Sequence, residues 1–230
     1  MASRLRAVEP TQIRDFLLIG LTFASGSVDA IAFLGLNKVF SAFMTGNLVF
    51  LGIATAGANE PELDRVIPAL VAFAIGVYAA VRIVRPTRGS SSWPRRVSIA
   101  LCVTALAQAA FFGGWLATSG LPSRGVGDAL IALSALAFGI QSTAVMSLDL
   151  KGVFTTAATA TLILLVSDEA GWSRSTSERR RLGGVLLGLF AGAAAGGALV
   201  LHARTYAPVL PLAVTVAVVA SASIALRSSA

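Results

Sequence analysis

Long apolar stretches separated by short polar clusters dominate this chain. A polar segment over residues 1–15, carrying Arg4, Arg6 and Arg14, leads into an apolar run at 16–36. Seven more runs follow, at 39–58, 66–84, 97–117, 128–148, 153–166, 182–201 and 208–226. A helix rises about 1.5 Å per residue, so a run of about 20 residues crosses a hydrocarbon layer of about 30 Å. The sixth run has 14 residues and reaches only about 21 Å, which predicts a short or re-entrant segment. The pattern predicts an all-α fold, a polytopic transmembrane helical bundle of about eight segments.

The runs also repeat. Val39-Phe40 followed by Thr45-Gly46-Asn47 matches Val153-Phe154 followed by Thr159-Ala160-Thr161 at an offset of 114. Ala72, Gly76 and Ala80 recur as Gly188, Gly192 and Gly196 at an offset of 116. This divides the chain into a polar tail (1–15), a first repeat of four membrane segments (16–117), a linker (118–127), a second repeat of four (128–226) and a tail (227–230). Four spans per half would leave both halves in one orientation, related by an axis along the membrane normal. Gly184, Gly188, Gly192 and Gly196 fall every fourth residue on one helix face. That face suits close helix packing, either inside the subunit or between subunits of a homo-oligomer.

Composition agrees with the pattern: 56% of the 230 residues are apolar, 13% are charged and the mean hydropathy is +0.80. No soluble core of this length needs so much apolar surface. The net charge of +7 comes from Lys and Arg that flank spans without interleaved aromatic residues, so lipid, and not nucleic acid, is the expected partner. Under eight spans the basic residues divide ten to eight between the two faces, which sets no orientation; a re-entrant sixth run would bring both basic loops onto one face. The first run continues past Ala24 and Gly26 without a small-residue cleavage site, so it is expected to remain as a membrane helix.

Candidate chemistry lies in the polar residues inside the runs. Cys102 and His202 each stand alone, which offers no disulfide, no metal pair and no expected cofactor. Enzyme motifs are missing, and Gly125-Val126-Gly127-Asp128 reads as a helix start with an acid in the first turn. Asp29, in contrast, lies well inside the first run, where an unpaired carboxylate costs about 2.5–3.5 kcal/mol on insertion scales. If the first two runs form a hairpin about Asn37 and Lys38, Asp29, Thr45 and Asn47 share one depth, with Gly46 between them exposing backbone. Gln141, Ser142, Thr155 and Thr159 occupy the corresponding depth in the second half, without an acid. These eight residues are the candidate substrate-binding set, and a network of interhelical hydrogen bonds is the alternative reading of the same residues.

Gly26-Ser27-Val28-Asp29-Ala30, Phe33-Leu34, Val39-Phe40 and Met44-Thr45-Gly46-Asn47-Leu48 together resemble the signature of the YoaK-like bacterial membrane family, catalogued as domain of unknown function 1275. Phe138-Gly139-Ile140-Gln141-Ser142 and Val153-Phe154-Thr155-Thr156 through Thr161-Leu162 resemble its second motif. Members commonly carry Gln-Asn where this chain has Gln141-Ser142, and Thr-Gly where it has Thr159-Ala160. The resemblance implies a polytopic inner-membrane protein without established activity. The residues themselves point to a small secondary transporter or permease for a small polar or cationic solute. The rival expectation is a membrane structural or assembly protein whose polar residues only pack helices.

Overall fold

The computed structural model describes residues 9–57, 63–84, 93–148, 158–169 and 175–225. The described residues are helical throughout, without strands: α1 (Pro10–Gly35), α2 (Met44–Thr55), α3 (Leu63–Ile83), α4 (Arg95–Ala117), α5 (Arg124–Met146), α6 (Ala158–Glu169), α7 (Thr176–His202) and α8 (Val209–Ala225), with a 3-10 turn at Arg204–Tyr206. Six helices are long and apolar enough to cross a membrane; α2 and α6, at 12 residues each, are not. α1, α5 and α7 begin several residues before the apolar runs, because first turns carrying Thr, Gln, Arg, Ser or Glu suit the polar interface.

Two clusters of buried apolar side chains mark the ends of the bundle. At the end where α1 begins, here the proximal end, Leu18, Val84, Val97, Val145, Val185 and Ala222 pack together. At the distal end Leu36, Val66, Trp115, Ile131, Val200 and Ala207 do the same. The start of α1, the end of α3, the start of α4, the end of α5, the start of α7 and the end of α8 are therefore neighbours. The six long helices run alternately up and down, and α2 connects one distal helix end to another. α6, between α5 and α7 in the chain, packs on α7.

This corrects two expectations. The second run does not span: only residues 44–55 are helical, about 18 Å by helical rise. Each half then has three full-length helices, and α1 and α5 run in opposite directions, so an axis along the membrane normal does not relate them. The reason lies where α1 stops. Asn37 and Lys38 both adopt left-handed backbone (φ 62° and 60°), and the Lys38 N–H donates to Phe33 O at 3.0 Å, closing the helix and turning the chain back. Residues 39–42 then descend alongside α1, with Val39, Ser41 and Ala42 buried.

α1 and α5 are the central helices, with 61% and 67% of their apolar windows buried, against 28–33% for the other four. α1 packs on α7 and α8, and α5 on α3 and α4. Leu106, Leu187, Phe190 and Ile224 point outward, a surface suited to lipid. The α1–α7 and α3–α5 pairs approach at backbone distance through glycine. A Cβ on Gly26 would meet Leu189 O, one on Gly192 would meet Phe23 O, and one on Gly196 would lie 2.5 Å from Ser27 O. In the other pair, a Cβ on Gly76 would meet Leu136 O and one on Gly139 would meet Phe73 O. Gly188 faces Ile19 O at 3.0 Å, whereas Gly184 faces the Ile19 side chain. The same pairs are tied at their ends, α1 to α7 by Asp15–Arg181 (3.9 Å), α3 to α5 by Arg65–Asp128 (3.5 Å) and by Arg124–Asp64. Asp128 thus faces an arginine at a helix start.

Candidate functional site

The descending segment between α1 and α2 lacks helical hydrogen bonds at membrane depth, so its backbone groups need other partners. Two side chains supply them. Asp29 Oδ1 accepts the N–H of Ser41 (2.8 Å) and of Ala42 (2.7 Å). Asn47 Oδ1 accepts the Phe40 N–H (3.0 Å), while its Nδ2 donates to Phe40 O (2.8 Å) and to Met44 Sδ (3.4 Å). Asp29 lies seven residues before Leu36, so the amino end of α2 sits roughly 10 Å inside the distal end of α1. A carboxylate there also complements the partial positive charge of the α2 amino terminus.

Gly46 lets aromatic rings close over the first turn of α2. A Cβ at that position would lie 2.7 Å from the Phe43 ring and 2.9 Å from the Phe40 ring. Phe40 stacks on Phe33 (centroids 5.1 Å apart, planes 19°) and on Phe50 (5.7 Å, 10°), and meets Phe43 edge-on (5.3 Å, 74°).

Beside this aromatic cluster lies a cavity of about 490 Å³. α1 contributes Asp29 and Phe33, the descending segment Phe40 and Phe43, α6 Thr159, and α7 Gly197. Phe43 caps α2 and Thr159 is in the first turn of α6, so the amino ends of both half-length helices border the same space.

The eight sequence candidates therefore separate. Asp29 and Thr159 line the cavity together. Asn47 is fully buried in its backbone clamp, and Thr45 is exposed on α2 away from the cavity. Gln141 lies between α1 and α5, its Nε2 donating to Leu21 O and Ser25 Oγ, each at 3.1 Å. Ser142 Oγ donates to Phe138 O within its own helix at 2.7 Å. Thr155 lies outside the described residues. Among the described residues no group of three His, Cys, Asp or Glu side chains is arranged to hold a metal.

Residue-by-residue reading missed the three phenylalanines as cavity walls, although Phe33 and Phe40 belong to the motif that carries Asp29. It also missed Gly197, Leu189 and Ala193, whose only sequence signal is the small-residue face of α7. Gln108 is a further buried amide, 4% exposed, with neither polar atom hydrogen-bonded to a described residue. Its signal was a lone amide within the 97–117 run.

Six helices long and apolar enough to cross a membrane, with two half-length apolar helices beside them, define a multi-pass helical membrane protein. The family model described as "Protein of unknown function (DUF1275)" matches residues 17–221, and the chain belongs to that family. It is also similar to the UPF0700 transmembrane protein YoaK of Bacillus subtilis (strain 168), 34% identical over 158 residues, covering 69% of this chain and 68% of that protein. No solved structure matches the chain.

Proposed function

We propose that this protein is a small secondary transporter or permease of the inner membrane, built from two inverted repeats of three spans and one half-length helix, with its solute site at the Asp29 cavity. The observation that carries the reading is the convergence of both half-length helices and a membrane-embedded carboxylate on one cavity. Broken helices meeting at a repeat interface are a common way to build such a site. No cofactor and no enzymatic step belong to this reading.

Paired contacts support the inverted repeat. Gly26 against Leu189 has its counterpart in Gly139 against Phe73, and Gly192 against Phe23 in Gly76 against Leu136. The offsets are 113 between α1 and α5 and 116 between α3 and α7. α2 and α6 begin 114 residues apart. Charge supports an orientation. Of the described Lys and Arg residues seven lie at the proximal end, and four, Lys38, Arg65, Arg124 and Arg204, lie at the distal end. The proximal end is accordingly cytoplasmic.

One observation favours the structural reading: Asp29 and Asn47 are both engaged with backbone. Purified protein in liposomes, screened for solute-dependent ion movement, separates the two. Transport predicts flux that Asp29→Asn lowers at least about tenfold while the protein stays monodisperse, because Asn still offers Oδ1 to Ser41 and Ala42. A scaffold predicts no solute-dependent flux, and variants that act through stability alone.

A further inference from the structure

Resting on the transport reading for its location, the cavity identifies its own ligand chemistry: we infer that it takes an organic monocation, an ammonium group attached to an apolar, preferably aromatic, body. Of the described residues lining the space, Asp29 alone carries charge and Thr159 alone adds a hydroxyl. A sugar or other polyhydroxylated solute would lose hydrogen bonds to water that these walls cannot replace. An anion would meet a carboxylate.

A bare metal cation fits no better. Sodium- or calcium-like ions need several oxygen ligands, whereas Asp29 Oδ1 already accepts two backbone N–H groups. The volume, about 490 Å³, falls in the range of sites for whole organic molecules, about 300–1,000 Å³. The remaining walls, Leu189, Ala193 and Ala158 among them, are apolar. Phe33, Phe40 and Phe43 line the same space as the acid, a setting in which ammonium groups gain cation–π attraction. The cavity also orients its ligand. The amino ends of α2 and α6 both border the space as positive dipole ends, and Asp29 lies against that of α2 and offsets it, so the charged head turns to Asp29 and the apolar body lies toward α6 and α7.

The test uses the full chain in nanodiscs and radiolabelled benzyltrimethylammonium as probe. Neopentylbenzene, its uncharged carbon isostere, and zwitterionic phenylalanine serve as competitors. The expected result is saturable binding of the cation, weakened at least about tenfold in Asp29→Asn, as loss of a charge-assisted contact implies. Neopentylbenzene should not displace the probe. Thr159→Lys, at an exposed position in the first turn of α6, should weaken binding at least about tenfold by bringing a tethered cation to the cavity while Asp29 is untouched.

Equal displacement by neopentylbenzene would overturn the inference in favour of an acyl-chain or other apolar occupant, and tighter displacement by phenylalanine would overturn it in favour of a zwitterion. Undiminished binding in Asp29→Asn would also overturn it. The transport reading fails separately. Asp29-dependent flux of another solute without cation binding sinks this inference and leaves transport standing, whereas bound cation without flux of any solute does the reverse.

Discussion

Replacing Gly196 by alanine puts the glycine-mediated contact between α1 and α7 to a direct test. The new Cβ would lie 2.5 Å from Ser27 O, 2.8 Å from Ser27 Cα and 2.9 Å from Ser27 Oγ. Carbon and carbonyl oxygen normally approach to about 3.3–3.6 Å, so α1 and α7 must separate by roughly 1 Å along this stretch. Overpacking of this kind costs about 1–3 kcal/mol. The better helix propensity of alanine returns about 1 kcal/mol, leaving a net loss of up to about 2 kcal/mol. Gly183, on the same helix, has nothing within 4 Å of its would-be Cβ, so Gly183→Ala should stabilise by up to about 1 kcal/mol. Gly188→Ala, with Ile19 O at 3.0 Å, should fall between them. The assay is an unfolding titration of purified protein in mixed micelles of mild detergent and dodecyl sulfate. Indistinguishable midpoints for Gly196→Ala and Gly183→Ala would refute the reasoning, because both substitutions share the same propensity gain and differ only in what the Cβ meets.

Asn47→Ala should lower stability by about 1–3 kcal/mol, since it strands the N–H and carbonyl of Phe40; an unchanged melting midpoint would mean that water replaces the clamp. Gln108→Leu should raise the unfolding midpoint, by about 1 kcal/mol, because a buried amide without a described partner gives way to an apolar side chain of similar size; a fall would reveal a partner for the amide. In a Cys102→Ala background, an impermeant maleimide added to intact cells should label Ser123→Cys at the distal end and spare Ser177→Cys at the proximal end, both exposed positions. The reverse pattern would invert the orientation argued from charge.

The helical membrane class was legible because every apolar run contains a helix among the described residues. The parity of the bundle was not. Residues 39–58 have the length and hydropathy of a span, and periodicity alone does not separate a helix that crosses from one that returns. What decides is the backbone at Asn37 and Lys38, together with two side chains that hold residues 40–42 beside α1. Depth matching grouped Asp29 with Asn47, and both side chains bond the backbone of residues 40–42. It assigned them the same job because spacing does not tell which polar atoms already have backbone partners. Repeat spacing had set Thr159 opposite Asp29 through two parallel halves, an arrangement that the opposed α1 and α5 overturn, and Gly197 and Leu189 became visible only once α7 was known to lie on α1. A glycine every fourth residue says that a helix comes close, without saying which one.

The clamp made by Asp29 and Asn47 also bears on how the chain is threaded into the bilayer during synthesis. Everything after residue 44 inherits its side of the membrane from whether this segment turns back or is pulled through. Were it drawn across, α3 to α8 would all be delivered upside down, and the arginines of the proximal end would change sides of the membrane. Damage to these two side chains would then appear as misinserted molecules removed by quality-control proteases, a loss of abundance that precedes any question of activity.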